Sequence, residues 1–286
     1  MIAGERLHEV GDGLPLEPAR GGDRSHHGRV TRRHVSDDAV GGELAQPIEC
    51  LSGDNDKPRF EVLLRMADSG GERIPSAALF SAAERYNMMP QIDRWVVSKT
   101  LGALADVAVT VEGRGANFAI NLSGQSLGDD DILAFIEEEI RQSGLPASCL
   151  TFEVTESAAV SNLTKAQEFL ERLHDLGCSV ALDDFGAGLS SFAYLKNFSV
   201  NILKIDGGFI RDITENRISE SMVAAITQVA KVMELETVAE YVENDKTRKL
   251  LKSLGVNYAQ GHVLGKPTAL ADVLQDLSEL VRSSAG

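Results

Sequence analysis

Short apolar runs of the β type alternate with longer helical segments from about residue 43 onward. Such an alternation over about 235 residues indicates parallel βαβ units within one domain. Eight runs are of the β type, and eight strands favour a (β/α)8 barrel over an open, doubly wound sheet. The predicted strands are Ala45–Leu51, Phe60–Met66, Asn117–Leu122, Leu150–Thr155, Ser179–Asp184, Asn201–Asp206, Glu236–Tyr241 and Val256–Gln260.

Segments whose apolar residues recur every three to four positions separate most of these runs. They predict helices over Ser76–Met89, Gln91–Ala105, Asp130–Ser143, Ser161–Leu176, Glu215–Glu234, Asn244–Leu254 and about Leu270–Val281. Gly144, Gly177 and Gly255 follow three of them, as is typical where a helix ends. The first two strands are joined by only a short turn, so we expect them to pair antiparallel and to make the α/β barrel irregular at its start.

Composition excludes several classes of protein. The net charge of −15 argues against a basic surface for DNA or RNA polymers or for anionic lipid. The three cysteines form no CxxC pair, which argues against a disulfide framework or a structural zinc site. No apolar run reaches the ~18 residues of a membrane span, and the N-terminus lacks the apolar core of a signal peptide. We therefore expect a cytoplasmic protein that binds neither membranes nor nucleic-acid polymers.

The first residues differ from the rest of the chain. They are rich in glycine and histidine and carry no sustained apolar period. We predict a flexible N-terminal arm over residues 1–41 and one barrel domain over residues 42–282.

Polar residues occupy one face of the predicted strands. In the strand from Leu150 to Thr155, alternate residues Leu150, Phe152 and Val154 form an apolar face, and Glu153 lies on the other. Bulky apolar residues should face the helices, which leaves the polar face for the barrel axis. Most polar positions come late in their strands, at the end where barrel enzymes place their chemistry. Glu61, nearer the middle of its strand, fits this rule least well.

Six carboxylates belong to this polar set: Glu61, Glu153, Asp183, Asp184, Glu240 and Glu243. Acids that converge on one mouth must be protonated, splayed apart or neutralised by divalent cations. Oxygen ligands suit Mg²⁺ or Mn²⁺ rather than zinc, and two ions fit the number of acids better than one. A helix cap or a salt bridge would explain any single acid, but not the whole set.

These residues also give the chain a resemblance to the EAL-domain cyclic-di-GMP phosphodiesterases of bacteria. The resemblance runs from about Gln46 to Pro267, and its segments occur in order, each near a strand end. The segments are Glu61-Val62-Leu63-Leu64-Arg65, Asn121-Leu122-Ser123, Glu153-Val154-Thr155-Glu156, Asp183-Asp184-Phe185-Gly186-Ala187-Gly188-Leu189-Ser190-Ser191, Lys204-Ile205-Asp206, Ala239-Glu240-Tyr241-Val242-Glu243 and Gln260-Gly261.

The resemblance implies a modified TIM (β/α)8 barrel that hydrolyses cyclic di-GMP to linear pGpG with two Mg²⁺ or Mn²⁺ ions. It implies metal-ligand positions at Glu61, Asn121, Glu153, Asp183, Asp184 and Glu240, with Asp184 bridging both ions. It also implies a homodimer, and an upstream GGDEF or sensor domain in a longer protein.

The same resemblance implies roles for the remaining polar residues. Lys204 would orient the attacking water and help to deprotonate it. Glu243 and Gln260 would support the metal and water shell, and Glu156 would hold the loop of residues 183–191. The expected substrate contacts are Arg65, Asp206 and Gln260.

Two residues depart from the family pattern. Val62 replaces an alanine, and Tyr241 replaces a glycine that many members carry. Both side chains are expected to point away from the barrel axis. Three functions stay open: a phosphodiesterase, a receptor that binds cyclic di-GMP without cleaving it, and a divalent-metal hydrolase of another phosphodiester. The retention of every matched ligand favours the first.

Overall fold

The structure is a computed structural model that describes residues 41–53, 57–68, 70–187 and 193–284. Its strands are β1 (Gly41–Cys50), β2 (Arg59–Ala67), β3 (Arg73–Ile74), β4 (Asn117–Asn121), β5 (Leu150–Thr155), β6 (Ser179–Phe185), β7 (Ile202–Ile205), β8 (Glu236–Ala239), β9 (Tyr258–Ala259) and β10 (Thr268–Ala269). The predicted arm over residues 1–41 lies outside the described residues except for Gly41, and it stays a prediction.

Helices separate most of these strands. They are α1 (Ser76–Arg85), α2 (Met89–Ala105), α3 (Ala108–Arg114), α4 (Asp130–Ser143), α5 (Glu156–Ser161), α6 (Leu163–Asp175), α7 (Gly207–Ile210), α8 (Arg217–Val232), α9 (Asp245–Ser253) and α10 (Leu270–Ser284). Across the residues that the structure covers, none of these helices combines the length and the apolarity needed to span a membrane.

Eight of the described strands form a closed barrel in the order β1-β2-β4-β5-β6-β7-β8-β9, with β9 pairing back to β1. Pairs from β2 to β9 around the ring are parallel, whereas β1 is antiparallel to both of its neighbours. The link between β1 and β2 is too short for a crossover helix, so those strands can only form a hairpin. The predicted α/β barrel with an antiparallel first strand is confirmed.

The alternation of side chains along the strands separates the helix-facing core from the barrel interior. Phe118, Phe152 and Leu182 are fully buried on the outer faces of β4, β5 and β6. A second, smaller cluster formed by Ala181, Ile202, Val238 and Tyr258 lies on the inner faces. The prediction that bulky apolar residues face the helices therefore holds for β4, β5 and β6, whereas β7, β8 and β9 also carry the bulky residues Ile202, Val238 and Tyr258 on their inner faces.

One end of the barrel is closed by polar contacts at the starts of three strands. Arg59 pairs with Glu236 at 2.7 Å, and the guanidinium of Arg59 lies 4.0 Å from the ring centroid of Tyr258. These groups fill the end at which the parallel strands begin. The opposite end, where those strands finish, carries the polar residues singled out in the sequence.

The predicted helices occur where the periodicity placed them, with differences at their boundaries. Gly144, Gly177 and Gly255 follow α4, α6 and α9 with φ of 68°, 91° and 85°, so the predicted stops are confirmed. The helix predicted over Ser161–Leu176 is α6, which begins at Leu163 because Asn162 caps it by accepting a hydrogen bond from the Lys165 backbone N–H. The short helices α3, α5 and α7 were missed, because one or two turns show no clear period.

Candidate active site

Lys204 lies at the centre of the site, inside the barrel on β7, and it is fully buried. Its Nζ contacts four carboxylates, at 2.7 Å from Glu153, 2.9 Å from Glu240, 3.3 Å from Asp183 and 3.5 Å from Glu61. The acids come from β2, β5, β6 and the residue after β8, so the closure of the barrel is what brings them together. We call these five residues the lysine cluster.

Amide side chains hold one edge of the lysine cluster. Asn121, at the end of β4, donates from Nδ2 to Glu61 Oε1 at 2.8 Å. Gln260 donates from Nε2 to Glu61 Oε2 at 2.7 Å and to Gln46 Oε1 at 3.2 Å. Glu61 therefore joins the site although it lies early in β2, because β2 continues past the mouth in its hairpin with β1.

Gln46 was given no role in the sequence interpretation. It is 9% exposed, lies on the inner face of β1, and also donates from Nε2 to the Gly265 carbonyl at 3.1 Å. The available signal was a polar residue at an inward position of the first strand. That signal depends on the register between β1 and β2, which the sequence did not establish.

The lysine cluster carries more negative charge than Lys204 can neutralise. Burial and the repulsion from Asp183 and Glu61 raise the pKa of Glu240 to about 7, despite the nearby ammonium. Burial also raises the pKa of Glu153. Burial alone would lower the pKa of Lys204, but the surrounding carboxylates raise it well above its ordinary value. The ammonium therefore stays protonated, and the acids retain an unmet demand for positive charge.

Asp183 and Asp184 both reach the mouth although they are adjacent in sequence. The pairing of β6 with β7 shifts register between Leu182 and Phe185, and Asp184 has φ of 53°. This irregularity breaks the strand alternation that would send the two side chains to opposite faces. One oxygen each from Asp183, Asp184 and Glu240 lie within 4.8 Å of one another.

The donor set fits hard divalent cations. All of its ligand atoms are oxygens, as Mg²⁺ and Mn²⁺ prefer. Gln260 Oε1 is buried without a hydrogen-bond partner, and Asp183 Oδ1 has only the 3.3 Å ion pair with Lys204. Burial, together with repulsion from Asp183 and Asp206, also raises the pKa of Asp184. Cations at the mouth would satisfy these oxygens and relieve the repulsion.

Glu156 lies beside the loop that follows β6. It is 5% exposed, and its Oε2 accepts a hydrogen bond from the Gly186 backbone N–H at 2.9 Å. Glu156 was predicted to anchor the loop, and this hydrogen bond is the contact through which it would do so. The rest of that loop, residues 188–192, lies outside the described residues.

A cavity of about 370 Å³ opens above the lysine cluster. The residues that line it include Arg65, Asp184, Glu240, Tyr241, Glu243, Gln260 and His262. Arg65 donates from one guanidinium nitrogen to the Leu64 carbonyl at 2.8 Å. Asp206 does not line this cavity; its carboxylate accepts from the Gly208 N–H at 2.9 Å and caps α7. The substrate contact expected of Asp206 stays a prediction.

Tyr241, expected to point away from the barrel axis, has its ring against Gly207 and Arg211 at α7. Tyr241 lines the cavity and is 50% exposed. Its φ of 55° places its backbone in the left-handed region two residues after the end of β8, so strand alternation no longer sets the direction of its side chain. A strand pattern extended to residue 241 could not have shown this.

A larger groove of about 650 Å³ lies on the outer wall beside β1, α2 and α10. Its polar residues, Glu43, Asp106, Gln275, Ser278 and Glu279, include no cation. It contains none of the lysine cluster. Convergent charged groups therefore favour the mouth over this groove as the place of chemistry.

Known proteins resemble the chain over the whole barrel. Residues 44–267 match the EAL domain family. The chain is 38% identical over 226 residues to the cyclic di-GMP phosphodiesterase PdeB of Shewanella oneidensis, covering 79% of this chain and 26% of PdeB. It is 39% identical over 242 residues to the cyclic di-GMP phosphodiesterase PdeF of Escherichia coli strain K12, covering 85% of this chain and 32% of PdeF. The chain thus spans about a third or less of these relatives.

Solved structures of EAL proteins share the fold. The FimX EAL domain from Pseudomonas aeruginosa, bound to c-di-GMP, superimposes with a TM-score of 0.74 at 28% identity and covers 80% of this chain and 91% of that domain. The MucR phosphodiesterase in its c-di-GMP complex gives a TM-score of 0.75 at 29% identity, over 82% of this chain and 94% of that one.

Proposed function

Since this chain belongs to the EAL domain family, we propose that it hydrolyses cyclic di-GMP to linear pGpG with two Mg²⁺ or Mn²⁺ ions. The observation that carries the proposal is the convergence of four carboxylates on Lys204 at the open end of the barrel. The names of PdeB and PdeF, and the c-di-GMP complexes of FimX and MucR, support the choice of substrate.

The proposed cation ligands are Glu61, Asn121, Glu153, Asp183, Asp184 and Glu240. The approach of the Asp184 carboxylate to those of Asp183 and Glu240 supports the bridging role proposed for Asp184. Bound there, the cations would activate the attacking water and offset the charge that builds on the phosphate oxygens. Gln260 and Glu243 line the same cavity and would orient the surrounding water shell.

Lys204 keeps the carboxylates in place and orients the attacking water. Its Nζ donates to Glu153 at 2.7 Å. The surrounding acids keep its pKa high, so it acts first as a hydrogen-bond donor. This favours the orienting part of the role predicted for Lys204, which fixes the geometry of attack.

Arg65 lies in the wall of the cavity, where its guanidinium would meet a substrate phosphate. One of its nitrogens donates to the Leu64 carbonyl, which fixes the side chain beside the mouth. A guanidinium suits phosphate oxygens because it offers several donors in one plane. Homodimerisation and an upstream GGDEF or sensor domain stay predictions of the resemblance.

The direct test is incubation of the chain with cyclic di-GMP and Mg²⁺, following pGpG by chromatography. We expect pGpG to accumulate with Mg²⁺ or Mn²⁺ and not with EDTA. We expect Glu153→Ala to remove turnover, because it deletes a proposed ligand and a partner of Lys204. Binding of cyclic di-GMP without product would indicate a receptor instead. No binding would indicate a hydrolase of another phosphodiester.

A further inference from the structure

Tyr241 occupies a backbone conformation that is costly for a bulky side chain. Its φ of 55° lies in the left-handed region, which glycine and asparagine adopt far more readily than tyrosine. The ring is half exposed, so it recovers little of that cost through burial. Unrelieved strain of this kind at the wall of a site favours a functional reason for the residue.

The surroundings of Tyr241 hold its ring against one side of the cavity. The guanidinium of Arg211 lies over the ring, 4.3 Å from its centroid. A Cβ on Gly207 would lie 2.1 Å from Tyr241 Cδ2, so the ring can occupy this position only beside a glycine. Gly207 and Arg211 are one turn apart and joined by a backbone hydrogen bond of 3.0 Å. Residues from two segments thus fix one aromatic ring.

The fixed ring lies directly beside the proposed chemistry. Tyr241 follows Glu240 in sequence and lines the same cavity as Arg65 and Asp184. When a phosphodiester lies over the proposed cations and beside Arg65, its sugar and base extend toward the adjoining wall of the cavity. The flat, partly exposed ring of Tyr241 is the part of that wall on which a base can stack. Any base can do so, because stacking needs only its π face.

We propose that Tyr241 stacks on a purine base of the cyclic dinucleotide and so contributes to substrate affinity. The inference rests on the proposed function for the identity of the ligand. Arg211 fixes the ring from the α7 side through its cation–π contact. Tyr241 acts on binding and not on the cleavage step, because its hydroxyl has no part in the lysine cluster.

The test compares Tyr241→Gly with Tyr241→Phe in titrations with cyclic di-GMP. Ca²⁺ replaces Mg²⁺, since it accepts the same oxygen ligands, and chromatography confirms that the dinucleotide stays intact. We expect Tyr241→Gly to weaken binding about tenfold and Tyr241→Phe to stay within about twofold of the wild type. Tyr86→Gly is the matched control: Tyr86 is 70% exposed, lies outside the cavity, and its loss should leave affinity unchanged.

Two further readouts separate stacking from a structural role. With Mg²⁺, kcat of Tyr241→Gly should stay within about twofold of the wild type while KM rises. Its melting temperature should not fall, because glycine relieves the left-handed strain. Equal affinity in wild type and Tyr241→Gly, or tighter binding by the variant, would overturn the inference alone. A wild type that does not bind cyclic di-GMP would overturn both the proposed function and this inference.

Discussion

Lys204 is the residue on which the site depends most. A fully buried ammonium is costly unless acids surround it, and here four of them do. The same arrangement makes the acids dependent on Lys204, because without it their charges face one another across the barrel. Function and stability are therefore coupled at this one position.

We predict that Lys204→Met destabilises the cation-free protein by about 3–5 kcal/mol, because it leaves buried carboxylates without their partner. Mg²⁺ should raise the melting temperature of the variant more than that of the wild type, since cations would replace the missing charge. Thermal unfolding with EDTA and with Mg²⁺ measures both effects. Lys231→Met, at an exposed position of α8, should change stability by less than about 0.5 kcal/mol. Equal responses to Mg²⁺ in wild type and Lys204→Met would contradict the account.

Glu156 provides a test of loop anchoring. Glu156→Ala removes the acceptor of the Gly186 N–H, so we expect about a tenfold or greater loss of activity through the loop that follows Asp183 and Asp184. Glu156→Gln keeps an oxygen acceptor and should lose less. Hydrogen exchange at the Gly186 amide checks the cause: protection should fall in Glu156→Ala. Unchanged exchange together with unchanged activity would show that the contact does not hold the loop.

The sequence predicted individual residues well where strand alternation governs them. Glu153 and Lys204 could be placed inside the barrel from their neighbours alone. Tyr241, Asp184 and Asp206 could not, because left-handed backbone, a register shift and a helix cap determine where those side chains lie. The register shift depends on contacts between segments that are distant in sequence, and the left-handed backbone and the helix cap are local features that strand alternation does not encode.

At the scale of elements, the loop after β9 passes very close to the end of β8. A Cβ on Gly261 would lie 2.0 Å from the Val242 carbonyl oxygen, and a backbone atom cannot move aside as a flexible side chain would. Gln260, the residue before it, donates to Glu61 in the site. The close approach therefore couples the position of Gln260 to the backbone after Glu240.

We predict that Gly261→Ala lowers the free energy of unfolding by about 1–3 kcal/mol through this overlap. Gly102→Ala is the matched change: Gly102 lies within α2, and a Cβ there meets nothing within 4 Å. That substitution should stabilise the protein by about 0.5–1 kcal/mol, because alanine favours a helix. Urea unfolding of both variants measures the difference. Equal effects of the two substitutions would show that the contact with Val242 is easily relieved.

Long elements were predicted more reliably than short ones. Each of the eight barrel strands was found, since β-branched runs and alternation mark them even at four residues, as in β7 and β8. The antiparallel direction of β1 could be predicted because the connection between β1 and β2 is short. The helices α3 and α7 escaped detection because seven and four residues are too few to define a period.

At the scale of the whole molecule, stability should depend on pH through acids buried away from the mouth as well as in it. Burial raises the pKa of Glu43 to about 7, even though Thr100 Oγ1 donates to it at 2.7 Å. The folded state therefore holds a proton on Glu43 that the unfolded chain has released above its ordinary value of 4.5. The contribution of Glu43 to the free energy of unfolding is fully present below about pH 4.5 and is lost as the pH rises through about 7.

We predict that Glu43→Gln removes this part of the pH dependence of the free energy of unfolding, because the amide cannot ionise. Stability of the wild type relative to Glu43→Gln should fall between about pH 4.5 and pH 7 and level off above it. Urea unfolding across this range measures the difference. A constant difference between the two proteins would mean that the carboxyl of Glu43 titrates normally in the folded state.

The barrel as a whole has one closed end and one acidic, open end, and the central claim is that the open end holds two hard cations beneath a cyclic dinucleotide. The most direct measurement is anomalous X-ray scattering from crystals grown with Mn²⁺ and cyclic di-GMP. We predict two manganese peaks at the mouth, with Asp184 between them and a phosphate of the dinucleotide above. Manganese bound elsewhere, or a dinucleotide bound with no manganese at these carboxylates, would contradict the account.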